Sequence, residues 1–207
     1  MIVGVVGFIG SGKNTVGEML VNEYGFVPKS FAAALKDTVS SIFGWQRELL
    51  EGDTEESRKF RDTVDAWWAE KLGVPLLTPR YVLQYIGTDV FRNHFHHDIW
   101  VFSLLRRIEI ESGGKNVIIT DVRFTNEINM VRREEGRIVR VKRGDDPEWF
   151  EMARKANSGD GASKVVMQEM YPHIHASEWG WIGCEIDHHI ENDSTIDDLR
   201  KKVFNIV

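Results

Sequence analysis

Short apolar runs near both ends of the chain predict the strands of a buried sheet. Residues 2–6 (IVGVV) and 116–122 (NVIITDV) are nearly continuous and rich in β-branched residues, a pattern typical of parallel strands covered on both faces. Residues 137–143 (RIVRVKR) alternate between polar and apolar positions, which also favours a strand. Two shorter candidates, 26–31 and 188–192, bring the predicted strands to five.

Segments with apolar residues near helical spacing separate these runs. They are residues 13–24, 32–43, 125–135 and 195–204. Gly25 and Gly136 stand where two of these helices are expected to end. Strand and helix therefore alternate at both ends of the chain, which predicts an α/β fold with a mostly parallel five-stranded sheet flanked by helices.

Two regions depart from this alternation. Residues 45–112 contain no clear strand and are rich in charged and aromatic residues, so they predict a helical insertion within one domain of residues 1–207. Thr78-Pro79 is a good helix start, and that helix is expected to carry RYVLQYIGTDVF. Residues 144–187 are rich in glycine and predict an irregular region, apart from a short helix over 147–156.

Composition narrows the functional classes. The chain has 207 residues, with 26 Lys+Arg against 32 Asp+Glu and a net charge of −6, so a nucleic-acid partner is not expected. Its one cysteine, Cys184, excludes an internal disulfide framework and a Cys₄ zinc site. No apolar run approaches the roughly 18 residues of a membrane span. The first twelve residues lack the features of a signal peptide, so we expect a cytoplasmic protein that acts away from membranes.

The strongest chemical signal lies between the first strand and the first helix. Residues 7–14 (GFIGSGKN) match the phosphate-loop pattern G-x-x-x-x-G-K-[S/T] except at the last position. Gly10 and Gly12 can adopt backbone angles closed to other residues, which lets successive N–H groups converge on a phosphate. Lys13 adds a mobile positive charge for the β- and γ-phosphates. The loop alone predicts a nucleoside triphosphate site, formed by Gly10, Ser11, Gly12, Lys13, Asn14 and Thr15.

The residue after the lysine is Asn14, where many phosphate-loop proteins carry a hydroxyl that binds Mg²⁺. The next hydroxyl belongs to Thr15. This GKNT sequence is similar to the GKGT of adenylate kinases and the GKDT of some phage kinases. The resemblance implies a small-molecule kinase, in which water and nucleotide oxygens largely hold the Mg²⁺. Thr15 and Asp121 are the expected protein groups of that magnesium shell, directly or through water.

Four further segments carry a resemblance that covers essentially the whole chain. They are SFAAALK (30–36), LTPRYVLQYIGTD (77–89), TDVRFTNE (120–127) and IENDSTIDDL (190–199). Together with the phosphate loop, they resemble the deoxynucleoside monophosphate kinases of tailed bacteriophages. The resemblance implies a P-loop kinase fold with a substrate-binding insertion and a mobile lid. It also implies transfer of the γ-phosphoryl group of ATP to a deoxynucleoside monophosphate, in the host cytoplasm if the chain is phage-encoded, and by family analogy a homodimer.

Two residues near the end of the third strand, Asp121 and Arg123, suit this chemistry. Asp121 ends an apolar strand, where a carboxylate can orient the shell of a magnesium ion. Arg123 lies two residues further, at the carboxyl end of the sheet where ligands of open α/β folds bind. Its guanidinium could bridge the donor and acceptor phosphates, which makes Lys13, Arg123 and Asp121 the candidate catalytic residues. A strand-end cap for Asp121 and a surface ion pair for Arg123 are the alternatives.

The candidate acceptor residues lie near the helical insertion. Arg80 is suited to the acceptor α-phosphate, and Gln84, four residues later on the same helix face, can pair with a base edge. Lys36 could meet the same phosphate, and Phe31 could form an apolar wall beside the base. Asp89 and Arg92 are weaker candidates. Solvated side chains, or a core position for Phe31, are the alternatives.

A lid should supply cations that close over the transferring group. The candidates are Arg140, Lys142, Arg143, Arg154 and Lys155. The alternation of Arg140 and Lys142 with valines also fits a solvent-facing strand edge. Two other functions stay open on the residues alone: a kinase for another small acceptor such as dephospho-coenzyme A or a ribonucleotide, and a nucleotide-binding module without transfer activity.

Overall fold

A computed structural model of the protein describes residues 1–206. The chain divides into two compact units. One unit combines Met1–Ser30 with the chain from Arg107 onward, and the other is Phe31–Arg106. None of the helices formed by residues 1–206 has the length and hydropathy of a membrane-spanning segment.

The first unit is built on a parallel sheet. Its strands are β1 (Ile2–Val6), β2 (Val27–Lys29), β3 (Val117–Ile119), β4 (Arg137–Lys142) and β5 (His188–Glu191). Their order across the sheet is β2-β3-β1-β4-β5, and every neighbouring pair is parallel. The predicted α/β fold with five strands is confirmed. The strands β2 and β3 are shorter than the sequence indicated, because the residues on either side of them leave the ladder.

The central place of β1 explains its apolar sequence. This strand pairs with β3 on one side and β4 on the other, and all five of its residues are buried. A strand inside a parallel sheet is covered on both faces, so a continuous apolar run is required rather than an alternating one. The core of this unit joins valines of β1 and β4 to apolar residues of the first and last helices.

The chain forms eleven α-helices within residues 1–206. They are α1 (Lys13–Tyr24), α2 (Ala33–Phe43), α3 (Glu55–Asp62), α4 (Ala66–Leu72), α5 (Pro79–Gln84), α6 (Ile99–Glu111), α7 (Thr125–Arg133), α8 (Phe150–Asn157), α9 (Gly161–Met170), α10 (Ala176–Trp179) and α11 (Ile196–Phe204). The prediction for 144–187 is therefore wrong in part: α8 corresponds to the helix predicted over 147–156, whereas α9 and α10 fall in the part predicted to be irregular. These helices are short, and their apolar positions are too few to give a clear period.

The second unit is helical throughout, around its own core. Its buried residues come from α2, α5, α6 and the connecting segments, and include Leu35, Val39, Leu83 and Trp100. Thr78 caps α5 as predicted, since its hydroxyl accepts a hydrogen bond from the backbone N–H of Tyr81 at 3.1 Å. The helix predicted to start at Thr78-Pro79 does not run on as one α-helix, because α5 ends at Gln84 and Tyr85–Phe95 forms a π-helix.

Candidate functional site

The loop between β1 and α1 has the backbone of an anion cradle. Gly10 and Gly12 have φ angles of +80° and +103°, in the region that favours glycine. The side-chain hydroxyl of Ser11 is buried and has no hydrogen-bond partner within residues 1–206. A buried hydroxyl without a partner is unfavourable, so it fits a loop that receives a polar ligand. Asn14 is exposed, and Thr15 is half-buried in the first turn of α1.

Lys13 is fixed inside this loop. Its ammonium donates hydrogen bonds to the carbonyl oxygens of Gly7 and Phe8, each at 2.8 Å. The pKa of Lys13 is lowered to about 8, chiefly by burial and then by the nearby positive charge of Arg123, while Glu178 and Asp121 act in the opposite direction. The structure therefore places the two predicted cations in one electrostatic neighbourhood. Two cations held close together favour the binding of an anion between them.

Asp121 lies beside this cluster because of the sheet topology. β3 is the direct neighbour of β1, and parallel strands present their carboxyl ends at the same edge. The Asp121 carboxylate accepts a hydrogen bond from the Ser30 hydroxyl at 2.7 Å. Hydroxyl and carboxylate oxygens are the ligands that Mg²⁺ prefers, so Thr15 and Asp121 fit a magnesium ion that keeps most of its water.

Arg123 is anchored through its backbone and its side chain. The buried carboxylate of Glu127 accepts hydrogen bonds from the backbone N–H groups of Arg123 at 2.7 Å and Phe124 at 3.2 Å. The guanidinium of Arg123 donates to Ser177 at 3.2 Å and to Glu178 at 3.1 Å. The local pattern did not indicate these contacts, since Glu178 lies 55 residues away along the chain.

The phosphate loop has two further supports that sequence reasoning missed. The side-chain amide of Asn192, just after β5, donates to the carbonyl oxygen of Ser11 at 2.9 Å. The ring of Phe8 packs against Trp149 and Trp181, with ring centroids 5.5 Å and 5.3 Å away. Asn192 stands in one of the segments that carried the family resemblance, which was the one available signal for it.

The predicted acceptor residues lie in the second unit. Arg80 pairs with Asp62 and Lys36 with Glu51, so both cations are neutralised by carboxylates. Gln84 is half-buried at the end of α5. Phe31 is only 4% exposed and is part of the buried set.

The last two acceptor candidates, Asp89 and Arg92, fall in the π-helix. Asp89 is exposed, whereas Arg92 is buried. π-helices are rare and are frequent at functional sites, so this segment agrees with a functional role without defining one.

The alternative given for Arg140, a solvent-facing strand edge, needs correction. The side chain of Arg140 is only 11% exposed, pairs with Asp146, and lies over the rings of Phe150 and Trp181 at 4.9 Å and 5.2 Å. It is therefore not on a solvent-facing strand edge, because the segment after β4 folds back over it. Lys142 shares Asp146 at 3.7 Å. Arg143, Arg154 and Lys155 are exposed.

Residues 1–206 contain no group of three or more His, Cys, Asp or Glu side chains placed to hold a metal ion.

The sheet, the phosphate loop and its lysine define a P-loop kinase fold. A family model described as deoxynucleotide monophosphate kinase matches residues 72–152. A protein of Acanthamoeba polyphaga mimivirus, named "Putative deoxynucleotide monophosphate kinase", is 32% identical over a match of 153 residues that covers 69% of this chain and 74% of that protein. The chain therefore belongs to the deoxynucleotide monophosphate kinase family, and it is a nucleotide kinase that acts on small molecules.

Solved structures of other kinases are also similar to this chain. A dephospho-CoA kinase from Campylobacter jejuni has a TM-score of 0.48 and 14% identity, with 99% of this chain and 94% of that chain covered. A shikimate kinase from Aquifex aeolicus has a TM-score of 0.45 and 14% identity, with the same coverage.

Proposed function

We propose that this chain transfers the γ-phosphoryl group of ATP to a deoxynucleoside 5′-monophosphate, giving a deoxynucleoside diphosphate and ADP. Membership of the family supports the acceptor class. The observation that carries the proposal is the neighbourhood of Lys13 and Arg123 at a phosphate loop, where Arg123 lowers the pKa of Lys13. Two neighbouring cations repel each other, and a bound polyanion offsets this repulsion.

The triphosphate would lie on Gly10–Thr15. Ser11 offers an unsatisfied hydroxyl there, and the glycines leave the backbone N–H groups accessible. The ammonium of Lys13 would exchange the carbonyl oxygens of Gly7 and Phe8 for phosphate oxygens, which are charged acceptors and bind it more strongly. Thr15 and Asp121 would hold Mg²⁺, which supplies positive charge to the phosphate oxygens when bound.

Catalysis would then be positioning and charge neutralisation. Lys13 and Arg123 would offset the negative charge on the transferring group, and a loose transition state of this kind requires no general base. The carboxylate of Asp121 therefore acts in this proposal as a magnesium-shell group.

The acceptor would bind to the second unit through its phosphate and its base. Arg80 supplies a guanidinium for the phosphate, with Lys36 as a second cation, and Gln84 supplies an amide for the base edge. Phe31, Asp89 and Arg92 complete the proposed acceptor set. Because Arg80 is already paired with Asp62, the acceptor phosphate would have to displace that carboxylate.

A panel of acceptors tests this function. The chain is incubated with ATP, Mg²⁺ and, separately, each deoxynucleoside monophosphate, each ribonucleotide, and dephospho-coenzyme A, and ADP release and product identity are measured. We expect acceptor-dependent release of ADP with at least one deoxynucleoside monophosphate. Activity on dephospho-coenzyme A alone would overturn the proposal, and so would ATP binding without transfer to any acceptor.

A further inference from the structure

The guanidinium of Arg123 is held by one of its three nitrogens. Nη1 donates to the hydroxyl of Ser177 at 3.2 Å and to a carboxylate oxygen of Glu178 at 3.1 Å. Within residues 1–206, Nε and Nη2 of Arg123 donate to no other group. Its side chain is 44% exposed. An arginine held in this way keeps the remaining N–H groups of its planar fork available for a second, oxygen-rich partner.

One partner of Arg123, Ser177, is itself held by a histidine. His175 precedes the short helix α10, and its Nδ1 accepts a hydrogen bond from the backbone N–H of Ser177 at 3.2 Å. The same nitrogen lies 2.9 Å from the Ser177 hydroxyl. If that hydroxyl donates to Nδ1, its lone pairs face the donor on Arg123, so one chain of hydrogen bonds runs from His175 through Ser177 to Arg123.

α10 is also tied to the element that carries Arg123. Gly180 ends this helix so close to Arg123 that an added Cβ would lie 2.9 Å from the Arg123 carbonyl oxygen. The hydroxyl of Thr125 donates to the carbonyl oxygen of Gly180 at 3.3 Å. From the other side, the Asn157 amide donates to the carbonyl oxygens of Trp179 and Ile182, each at 2.8 Å. The helix is therefore a fixed support rather than a loose loop.

The charge of Glu178 argues against a direct role in phosphate binding. The charge of this carboxylate acts on the Lys13 ammonium, so it belongs to the same neighbourhood as the phosphate loop. A carboxylate repels a triphosphate, and its presence beside the loop is unfavourable unless it serves another group. The group it contacts is Arg123.

We propose that Glu178, Ser177 and His175 are positioning residues that hold Arg123 in the orientation needed for phosphoryl transfer, an inference that rests on the proposed function. Ser177 and Glu178 hold one edge of the guanidinium and so remove most of its freedom before the nucleotide arrives. Orientation fixed in advance lowers the entropy lost in the transition state, which is where charge neutralisation accelerates the reaction. The opposite possibility is a gate, in which Glu178 competes with phosphate for Arg123.

Kinetics of single and double variants separate these possibilities. We expect Glu178→Ala and Ser177→Ala each to lower kcat about tenfold with a smaller change in KM for ATP. Arg123→Ala lowers kcat further, and Arg123→Ala/Glu178→Ala is no worse than Arg123→Ala, because the carboxylate acts only through the guanidinium. The matched control is Glu169→Gln, an exposed glutamate of α9, which should leave kcat unchanged.

Chemical rescue distinguishes a positioning role of Glu178 from a purely structural one. Guanidinium chloride at millimolar concentration should restore part of the activity of Arg123→Ala, because Ser177 and Glu178 still form a site for a guanidinium ion. It should restore much less activity in Arg123→Ala/Glu178→Ala. His175→Asn should stay near wild type and His175→Ala should not, since asparagine can supply the same cap.

Each outcome has a distinct meaning. If the wild-type chain transfers no phosphoryl group, the proposed function itself fails. If the wild-type chain is active but Glu178→Ala has an unchanged or raised kcat, the positioning role is overturned and the gate is favoured. Fully additive effects of Arg123→Ala and Glu178→Ala, or equal rescue with and without Glu178, would also overturn it. Melting temperatures within about 2 °C of wild type show that the compared variants are folded.

Discussion

The side-chain amide of Asn192 donates a hydrogen bond to the carbonyl oxygen of Ser11 at 2.9 Å, across 181 residues of sequence. The backbone N–H of Asn192 donates to the carbonyl oxygen of Lys142 at 2.7 Å, so the residue also continues the pairing between β4 and β5. One asparagine thus joins the edge of the sheet to the middle of the phosphate loop.

Loss of this hydrogen bond should weaken ATP binding more than it weakens the fold. We expect Asn192→Ala to lower the free energy of unfolding by about 1 kcal/mol, the usual contribution of one hydrogen bond. KM for ATP should rise about three- to tenfold, because the loop loses its anchor and must be ordered by the nucleotide. Urea unfolding and steady-state kinetics measure the two effects. Asn129→Ala, at an exposed position on α7, is the control and should change neither.

Gly12 should tolerate no side chain, for two separate reasons. Its φ angle of +103° strains any other residue, and an added Cβ would collide with the Asn192 amide. Gly25 has a φ angle of +70° but open space around it, so Gly25→Ala carries the backbone strain without the collision. We expect Gly25→Ala to cost about 1 kcal/mol of stability. Gly12→Ala should cost more and should abolish ATP binding, and equal behaviour of the two variants in calorimetry would contradict the loop geometry.

Nucleotide binding should take up a proton above neutral pH. The pKa of Lys13 is lowered from 10.5 to about 8 in the free protein, chiefly by burial. A bound triphosphate favours the charged ammonium and raises that pKa again. Below about pH 7 the lysine is charged in both states and no proton is taken up, whereas above about pH 8 affinity for ATP should fall as pH rises. Calorimetry in buffers of different ionisation enthalpy measures the proton uptake.

The lowered pKa of Lys13 also affects folding. Its contribution to the free energy of unfolding changes with pH in the opposite direction to the affinity for ATP. The unfolded chain keeps the Lys13 proton up to about pH 10.5, while the folded chain loses it near pH 8. Between these values the unfolded state binds more protons, so the contribution of Lys13 to the free energy of unfolding rises with pH. Lys13→Arg is the control for both trends, since arginine keeps its charge throughout this range. ATP affinity that is independent of pH from 7 to 9 in the wild-type chain would contradict this account.

Arg80 and Asp62 should have opposite effects on the acceptor. Arg80 donates to the Asp62 carboxylate at 3.1 Å, and this guanidinium holds the pKa of the Asp62 carboxyl below its usual value. If Arg80 binds the acceptor phosphate, Asp62 competes with it. We expect Arg80→Ala to raise KM for the deoxynucleoside monophosphate at least about tenfold, the loss typical of a charge-assisted contact.

The competing carboxylate should behave in the other direction. Asp62→Asn should lower that KM by about two- to fivefold, a modest change because the pair is exposed and worth little. KM for ATP should stay constant in both variants, and Lys59→Ala on the same helix α3 serves as the control. If Asp62→Asn instead raises KM for the acceptor, the role of Arg80 is to pair with Asp62 and not to bind the acceptor phosphate.

The sheet and the phosphate loop were predictable because their signals are local. The apolar run of β1, the glycines after it and Lys13 follow one another within thirteen residues, and each has one dominant physical reason to be there. The capped start of α5 at Thr78-Pro79 was predictable for the same reason. The sheet topology then brings Asp121 to the loop without any further information.

The contacts that hold the site in place were not predictable because their partners lie far apart in the sequence. Glu178 and Asn192 meet their partners across 55 and 181 residues, and nothing in the local pattern indicates either contact. Arg140 alternated with valines as an exposed residue would, yet Asp146 and two aromatic rings cover it. The π-helix over Tyr85–Phe95 was missed because its extra residue per turn leaves the apolar pattern close to that of an α-helix.

The central claim is that a phosphoryl group leaves ATP at the loop of Lys13 and arrives on a deoxynucleoside monophosphate. The most direct measurement is single-turnover transfer from ATP labelled at the γ-phosphate, in the wild-type chain and in Lys13→Ala. The account predicts label in the deoxynucleoside diphosphate with the wild-type chain and a rate at least about a hundredfold lower with Lys13→Ala. Transfer at a similar rate in both proteins, or label that appears only as inorganic phosphate, would contradict it.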